Sequence, residues 1–325
     1  MSTELTQPDG ARPLISVIMP CYNAAPFLDE AVNSVMHQSY PNVELIVIDD
    51  GSNDGSVAIL ERMVETHPGR IKLLFQQHEG PYPARNLGLK HAVGTHVAFL
   101  DADDWWSSDC LEKLHGALEH SHAVLAYCGW QNIGLQGGRG APHVPPDYET
   151  GDKAETFLRA AAPWPIHAAL VRREVVAAIG GFDTHWPSCM DYDLWLRIAV
   201  ANPIVLVPQV MAFYRHHGSG QITSKQWIQA ENSRLVKNKF VKANPRLVSH
   251  FTQHKLKQLI DGAFLRRGYN AYWQRDLATA WHIFRKSLLV GGWRAADLKY
   301  LIPAFFLPQA IFVRLIGLLD RRRFQ

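Results

Sequence analysis

One stretch of ten residues, from Val97 to Trp106, constrains the fold of this chain more than any other. Four apolar residues, Val-Ala-Phe-Leu, run directly into Asp-Ala-Asp-Asp and then into two tryptophans. The apolar part suits a strand buried in a parallel sheet, and open α/β sheets bind ligands beyond the carboxyl ends of their strands. Because unpaired buried carboxylates are costly, Asp101, Asp103 and Asp104 predict a bound cation. Oxygen ligands favour Mg²⁺ or Mn²⁺, so we expect a divalent-metal site for a phosphorylated donor.

Apolar strands alternate with helical segments before this stretch. The pattern predicts strands at 14–19, 43–48 and 71–76, and helices at 26–37, 57–66 and 82–91. Such alternation is typical of βαβ units, and it predicts an α/β fold with a mostly parallel sheet flanked by helices. The first two strands also end in polar residues. Since parallel strands end at the same edge of a sheet, these residues are expected to line one crevice with the carboxylates.

The pattern is less regular after residue 106. It predicts a helix at 110–121, a strand at 123–130, a loop at 131–152, helices at 170–178 and 193–200, and short strands at 204–207 and 211–214. From residue 225 onward the chain is predicted to be helical. We therefore expect one α/β domain at 12–222. Residues 223–325 would form a helical C-terminal region.

Composition limits the classes of protein that the chain can belong to. It has 325 residues, 47% of them hydrophobic and 19% charged, which is typical of a globular protein. A net charge of +3 is too small to indicate nucleic acid as a partner. The four cysteines form no CxxC pair, so neither a zinc knuckle nor a disulfide framework is predicted. The polar amino terminus lacks a signal-peptide pattern, and we expect a cytoplasmic protein.

Six short segments, in order between residues 14 and 217, together resemble the family 2 glycosyltransferases. The segments are Val17-Ile18-Met19-Pro20-Cys21-Tyr22-Asn23, Asp49-Asp50-Gly51-Ser52-Asn53-Asp54-Gly55, Ala84-Arg85-Asn86-Leu87-Gly88-Leu89, Leu100-Asp101-Ala102-Asp103-Asp104, Gly180-Gly181-Phe182-Asp183 and Met190-Asp191-Tyr192-Asp193-Leu194-Trp195-Leu196-Arg197. None is specific alone, but their combination in this order is a strong signal. The resemblance implies the GT-A fold, which is Rossmann-like, here with an α-helical C-terminal extension. It also implies a catalytic domain at 12–222, with a donor-binding half at 12–106 and an acceptor half at 107–222.

The resemblance also implies an activity. Members of the family move a sugar from a nucleotide-diphosphate donor to an acceptor hydroxyl with inversion, and UDP is the expected nucleotide here. The implied acceptor is a saccharide or a lipid-linked glycan, in the synthesis of a surface polysaccharide or of the lipid-linked glycan itself. Mn²⁺ or Mg²⁺ would neutralise the diphosphate leaving group, and one carboxylate would remove the proton of the attacking hydroxyl.

Site residues carry over from the family position by position. Asp191 is the implied general base, Asp103 the implied metal ligand, and His217 a further candidate ligand for the metal or the diphosphate. The implied nucleotide-sugar contacts are Pro20, Tyr22, Asn23, Asp49, Asp50, Arg85, Asp101 and Ala102. Within this set, Pro20 and Tyr22 would line the nucleoside pocket, Asp50 or Asp49 would meet the base, and Arg85 would lie near the base or phosphate. Asp101 would contact the ribose.

Several of these side chains also have a structural interpretation. Asp103 could cap the next helix, although Asp104 or Ser107-Ser108 can also do so, and Asp104 is the expected residue at the helix start. Arg85 could be an ordinary exposed helix arginine, and His217 an ordinary loop histidine. Asp191 could favour the dipole of the helix that follows it.

Two other functions fit parts of the pattern. A sugar-phosphate nucleotidyltransferase would share the nucleotide-binding α/β domain, but it would need a Gly-rich, basic phosphate loop where residues 20–23 read Pro-Cys-Tyr-Asn. A non-catalytic sugar-nucleotide-binding assembly subunit is the second alternative, and the intact set of Asp101, Asp103 and Asp191 argues against it.

Residues 301–319 are the most apolar part of the chain. Pro303, Pro308 and Arg314 count against a membrane span. One interpretation is an interfacial helix, in which residues 298–325 contact the inner face of the cytoplasmic membrane with the basic cluster Arg321-Arg322-Arg323 near anionic headgroups. The other is a helix that covers the catalytic domain.

Overall fold

The computed structural model describes residues 12–135, 138, 140–159, 163–217 and 225–321. The chain divides into two compact units. The first contains residues 1–151, 164–184 and 201–217, and the second contains residues 152–163, 185–200 and 218–325. Arg322 and Arg323 of the predicted basic cluster lie outside the described residues.

The first unit combines a sheet with flanking helices. Its strands are β1 (Ile15–Cys21), β2 (Val43–Asp49), β3 (Ile71–Phe75), β4 (His96–Phe99), β5 (Trp105–Trp106), β6 (Leu125–Ile133), β7 (Ala169–Arg172) and β8 (Ile204–Arg215). Its helices are α1 (Leu28–Met36), α2 (Ser56–Thr66), α3 (Pro81–His91), α4 (Cys110–Glu119) and α6 (Arg173–Ala178). The second unit contains α5 (Lys153–Arg159), α7 (Met190–Ala199), α8 (Gln226–Ala243), α9 (Gln253–Trp273), α10 (Leu277–Val290), α11 (Leu298–Phe306) and α12 (Gln309–Arg321).

The sheet has the strand order β3-β2-β1-β4-β7-β6-β8-β5. The first four strands in this order are parallel, β7 is antiparallel to both of its neighbours, β8 runs parallel to β6, and β5 is antiparallel to β8. All seven residues of β1 are buried, as its uninterrupted apolar run predicts. Cys21 pairs with Asp49, so β1 and β2 end together at the edge where β4 also ends. The predicted α/β fold is confirmed.

The helix predicted at 170–178 is wrong in its first part, and the correction completes the sheet. Residues 169–172 form β7, in which Leu170 pairs with Ala98 of β4 on one side and Ala126 of β6 on the other. The segment Ala-Leu-Val is apolar enough for a helix or for a strand. It forms a strand because it fills the position between the buried strands β4 and β6. The helix α6 begins only at Arg173.

Glycine at position 88 sets the position of α3 on the sheet. A Cβ atom there would lie 2.5 Å from Ile18 Cγ2 and 2.9 Å from Ile48 Cδ1. The helix therefore packs closer to β1 and β2 than a side chain would allow. Arg85, three residues earlier, lies on the same helix face and is held toward the carboxyl end of the sheet.

The second unit consists of helices in the described residues. Part of its core is a cluster contributed by α9, α10, α11 and α12, with buried members Leu265, Ala271, Ala280, Phe284, Leu301, Ala304, Phe312 and Ile316. One face of each C-terminal helix is thus covered by helices of the same unit. Among the described residues, no helix combines the length and apolar character that crossing a membrane requires.

Candidate functional site

Three carboxylates gather at the carboxyl end of β4. A ligand oxygen from each of Asp101, Asp103 and Asp104 lies within 4.8 Å of the others. The chain turns tightly here, because the backbone N–H of Asp104 donates to the carbonyl of Asp101 at 3.0 Å. Three hard oxygen donors at this spacing fit Mg²⁺ or Mn²⁺.

Burial and mutual repulsion oppose ionisation of this group in the absence of a cation. Burial, and then the neighbouring charge of Asp101, raise the pKa of the Asp103 carboxyl. Burial, Asp103 and Asp101 raise the pKa of Asp104 well above its usual range. A bound divalent cation reverses this balance, since it favours the ionised form of each ligand. A bound cation would therefore stabilise the ionised form of this carboxylate group.

The sequence suggested that Asp104 caps a helix, and this prediction is wrong. Asp104 is buried, with its carboxylate accepting from the backbone N–H of Arg215 at 2.8 Å. Its other oxygen lies 3.1 Å from Nδ1 of His167, which is also fully buried. Burial lowers the pKa of His167 to about 4, so the imidazole is neutral at pH 7. The residues that follow form β5, and α4 begins only at Cys110, which is too far for a cap.

Arg85 is a buried partner of Asp101 and not an exposed helix arginine. Its side chain is 4% exposed, and a terminal guanidinium nitrogen donates to Asp101 Oδ1. The guanidinium also lies 5.4 Å from the ring centroid of Tyr82 and 5.6 Å from that of Phe182. These contacts fix the guanidinium, so Asp101 is oriented at the start of the carboxylate loop.

The end of β8 brings a histidine and an arginine to the same loop. His217 Nε2 lies 2.9 Å from Asp103 Oδ2, and Arg215 Nε donates to the backbone carbonyl of Asp103 at 2.9 Å. The Arg215 guanidinium lies 4.4 Å from the ring centroid of Trp105. The structure thus unites His217 with the carboxylates, although more than a hundred residues separate them in the sequence, and an imidazole nitrogen is a suitable additional ligand for Mn²⁺.

An exposed aromatic ring follows β1 at the same sheet edge. Tyr22 is 46% exposed and stacks on His78, with ring centroids 3.9 Å apart and an interplanar angle of 26°. Pro20 is buried within β1, two residues before Tyr22. Ala102 is also buried, which leaves mainly its backbone available to a ligand.

Asp50 organises the loop after β3. The backbone N–H groups of Glu79 and Gly80 donate to its two carboxylate oxygens, each at 2.9 Å. The Gln76 amide donates to Oδ1 at 2.7 Å, and His78 Nδ1 lies 2.9 Å from Oδ2. With 2% of its surface exposed, Asp50 has its carboxylate occupied by protein donors.

Asp49 and Asn23 stabilise the loops that follow β2 and β1. Asp49 Oδ2 accepts from the backbone N–H groups of Gly51 and Ser52, while its buried Oδ1 has no hydrogen-bond partner among the described atoms. Asn23 adopts a left-handed conformation with φ of 50°, and its side-chain oxygen accepts from the N–H of Asn53 at 2.8 Å. The Asn23 side chain therefore holds one loop to the other.

Asp191 belongs to the second unit. It lies in the first turn of α7, is half-buried, and accepts from the backbone N–H of Tyr192 at 2.8 Å. Asp193, two residues on, is buried and forms an ion pair with Arg197, with Oδ2 and Nη2 2.6 Å apart. Asp193 is therefore a structural carboxylate, and Asp191 is the more accessible of the two.

Sequence reasoning missed the partners that hold the predicted residues in place. His167 and Arg215 contact Asp104, and Gln76 and His78 contact Asp50. Each partner lies on a different loop or strand from the carboxylate that it contacts. A single sequence shows no local spacing for such pairs, and only the sheet order brings them together.

Comparison with known proteins gives several similar chains. An uncharacterized glycosyltransferase of Haemophilus influenzae is 41% identical over 128 residues, covering 39% of this chain and 51% of that protein. One from Nostoc is 28% identical and covers 86% of this chain and 88% of the relative. The Bacillus subtilis protein TuaG, whose name assigns it to teichuronic acid biosynthesis, is 38% identical over 39% of this chain. The chain spans about half the length of the Haemophilus and Bacillus proteins.

Solved structures share the fold. TarS of S. aureus in complex with UDP-GlcNAc has a TM-score of 0.64 at 18% identity, and 90% of each chain is covered. The mannosyltransferase PcManGT of Pyrobaculum calidifontis, in complex with GDP-Man and Mn²⁺, has a TM-score of 0.57 at 21% identity. That match covers 98% of this chain and 91% of PcManGT.

The family model described as glycosyl transferase family 2 matches residues 16–180. This range is just over half of the 325 residues and includes β1, apart from its first residue, through β7 with the carboxylate loop. His217 and Asp191 lie beyond it. The resemblance seen in the sequence motifs is confirmed: this chain belongs to glycosyl transferase family 2.

Proposed function

We propose that this protein transfers a sugar from a nucleoside-diphosphate donor to an acceptor hydroxyl with inversion, assisted by Mn²⁺ or Mg²⁺. The observation that carries the proposal is the group of Asp101, Asp103 and Asp104 at the carboxyl end of β4. Residues 12–222 would form the catalytic part, with donor contacts before residue 107 and acceptor contacts after it. Residues 223–325 would form the helical C-terminal region.

The donor would lie along the edge formed by the ends of β1, β2 and β4. Tyr22 would stack against the base, with Pro20, Asn23, Asp49 and Asp50 shaping the pocket around it.

Beyond the base, Asp101, oriented by Arg85, would accept hydrogen bonds from the ribose hydroxyls, and Ala102 would offer its backbone. Asp103 and His217 would hold the cation against the diphosphate. When bound, the cation would neutralise the charge that develops on the leaving diphosphate. Complexes of TarS with UDP-GlcNAc and of PcManGT with GDP-Man and Mn²⁺ support a donor of this class, and we propose UDP as the nucleotide.

Inversion by a single displacement requires one base on the acceptor side. Asp191 would accept the proton of the attacking hydroxyl, as a general base does in an inverting glycosidase. Its partial exposure suits this role, whereas the buried ion pair of Asp193 does not. The acceptor would be a saccharide or lipid-linked glycan of surface polysaccharide synthesis, an inference that the name of TuaG supports.

A thermal-shift screen tests the donor and the metal together. We expect a UDP-sugar with Mn²⁺ to raise the melting temperature more than GDP- or dTDP-sugars do, because a ligand of the native state stabilises it by mass action. The same nucleotide-sugars without metal should give a smaller shift, since the diphosphate would then face uncompensated carboxylates. If no nucleotide-sugar shifted the melting temperature with either metal, the proposed donor class would be wrong.

The C-terminal helices also expose apolar side chains, and we propose that this face contacts the inner surface of the cytoplasmic membrane. The exposed residues are Ile302, Phe306, Ile311, Leu315 and Leu318. On α11, Ile302 and Phe306 lie one turn apart, and the exposed Lys299 shares their face. Arg314 is exposed beside Leu315 on α12. Apolar residues flanked by cations are typical of helices that lie in the interface of anionic membranes.

Flotation with vesicles tests this contact. We expect vesicles of phosphatidylglycerol and phosphatidylethanolamine to retain the wild-type protein, and Phe306→Glu with Ile311→Glu to abolish retention, because buried apolar area drives such binding. Val93→Glu is the matched control, since Val93 is 68% exposed in the first unit. Wild-type protein that remained unbound to anionic vesicles would refute the membrane contact.

A further inference from the structure

A basic cavity lies among the helices of the second unit. It has a volume of about 290 Å³ and is bounded by residues of α5, α8 and α9. The cations that line it are Arg159, Arg234, Lys237, Arg266 and Arg267. Ser233 and Asn270 add a hydroxyl and an amide to the lining. Among the described residues, no carboxylate belongs to this lining, so the cavity concentrates positive charge.

Three of the five lining cations, Lys237, Arg266 and Arg267, have no acidic ion-pair partner in the described part of the chain. Arg159 pairs with Glu155, and Arg234 Nη1 lies 3.2 Å from Asp261 Oδ1. By contrast, the charged neighbours of Lys237 are Arg267 and Arg266, which repel it. Lys237 is only 4% exposed. Arg267 is half-buried and Arg266 is exposed, so poor screening by water applies mainly to the charge of Lys237.

Burial of like charges opposes folding unless something compensates it. Burial, together with Arg267 and Arg266, lowers the pKa of Lys237 to about 7. Burial also lowers the pKa of Arg267. A buried cation without a counterion costs several kcal/mol, and an anionic ligand beside Lys237 would remove that cost. Phosphate oxygens match both the arginine fork and the lysine ammonium.

We propose that this cavity binds a phosphate or diphosphate group carried by the acceptor substrate. The cavity volume is sufficient for such a group and leaves little room for a whole saccharide chain. The hydroxyl of Ser233 and the amide of Asn270 can donate to the oxygens that the cations leave uncovered.

The cavity adjoins the helix that carries Asp191. The Lys237 ammonium lies 5.7 Å from the ring centroid of Tyr192, the residue next to Asp191. The Cys189 thiol interacts electrostatically with Asp191, and also with Lys237 and Arg267. A phosphate held here would place a neighbouring acceptor hydroxyl near α7. This part of the inference rests on the proposed role of Asp191 as general base.

Calorimetry with inorganic pyrophosphate in metal-free buffer tests the site without the donor machinery. We expect wild-type protein to bind pyrophosphate, and Lys237→Met and Arg267→Gln each to weaken binding by about tenfold or more, because a charge-assisted hydrogen bond is lost. Arg267→Lys should retain part of the affinity, since it keeps the charge. Lys242→Gln, an exposed position on α8, is the matched control and should bind as wild type does.

The unliganded stability of the same variants separates binding from a structural role. Removal of a buried, uncompensated cation should leave the melting temperature of Lys237→Met unchanged or higher. A lower melting temperature with undiminished pyrophosphate affinity would mean that Lys237 only supports packing. Unaltered affinity in both Lys237→Met and Arg267→Gln, or no binding by wild type, would overturn the proposal.

Two further measurements identify the source of the phosphate and exclude the donor site. Asp103→Asn should bind pyrophosphate as wild type does, and a loss there would assign the anion to the donor site and refute this one. Glycerol phosphate and farnesyl diphosphate, as competitors of pyrophosphate, distinguish a polyol phosphate from a lipid diphosphate, and failure of both would refute an acceptor phosphate. If no nucleotide-sugar bound but pyrophosphate still bound in the cavity, the proposed function would be refuted and the cavity site would stand.

Discussion

Replacement of Asp103 by Asn should reduce metal-dependent sugar transfer by at least about 10²- to 10³-fold, because the cation would lose its central ligand and the leaving diphosphate its charge compensation. The rate of donor consumption in the presence of Mn²⁺ measures this loss. Thermal shift provides a second readout, since Mn²⁺ with a UDP-sugar should stabilise the wild-type protein and leave Asp103→Asn almost unchanged.

The same variant should be at least as stable as wild type without metal. Three carboxylates lie within 4.8 Å of one another, and removal of one charge relieves their repulsion. Because the folded state raises the pKa of Asp103, ionisation at neutral pH opposes folding, and stability due to this group falls as pH rises. Asp109→Asn is the control, with the opposite expected effect on stability. Lys113 and Ser107 lower the pKa of Asp109, so this substitution should slightly destabilise the folded protein and leave its activity intact. Full activity of Asp103→Asn would exclude the metal site.

Replacement of Asp191 by Asn should lower kcat by about 10²- to 10⁴-fold, which is the usual contribution of a positioned general base. Donor binding should not change, because the amide keeps the size of the side chain and the residues proposed to contact the donor belong to the first unit. Single-turnover rates and a thermal shift with UDP and Mn²⁺ separate these two effects.

Asp193→Asn provides the contrast on the same helix. This carboxylate is buried and paired with Arg197, so its loss should cost about 1–3 kcal/mol of folding stability. We expect chemical denaturation to detect that loss, and the activity of the folded fraction to remain near wild type. If Asp191→Asn instead lost stability and kept its turnover, Asp191 would be the helix-terminus carboxylate that the sequence allowed as an alternative.

The first half of the fold could be predicted because its periodicity is local. Strands such as β1 and β2 are uninterrupted apolar runs that only a buried position explains. The ends of these strands then located Tyr22, Asp50 and Asp103 at one sheet edge without any knowledge of contacts. The order of six motifs supplied the family.

What could not be predicted depends on contacts between distant segments. Residues 169–172 are a strand because β4 and β6 leave a position between them, and no property of Ala-Leu-Val-Arg indicates that. Asp104 was assigned to a helix terminus because capping is a local pattern, whereas its real partners, His167 and Arg215, come from other strands or loops. The cationic cavity could not be predicted for the same reason, since its lysine and arginines are spread over three helices.

The hydrogen-bond donors that surround Asp50 order the loop beside Tyr22 before a nucleotide binds. Two backbone N–H groups and the Gln76 amide already fix the loop at 76–80, and His78 is thereby held beneath Tyr22. A base that binds beside Tyr22 would therefore stack on a Tyr22–His78 pair that is already ordered. The conformational entropy of that loop is lost during folding and not during each binding event, so more of the contact energy appears as affinity.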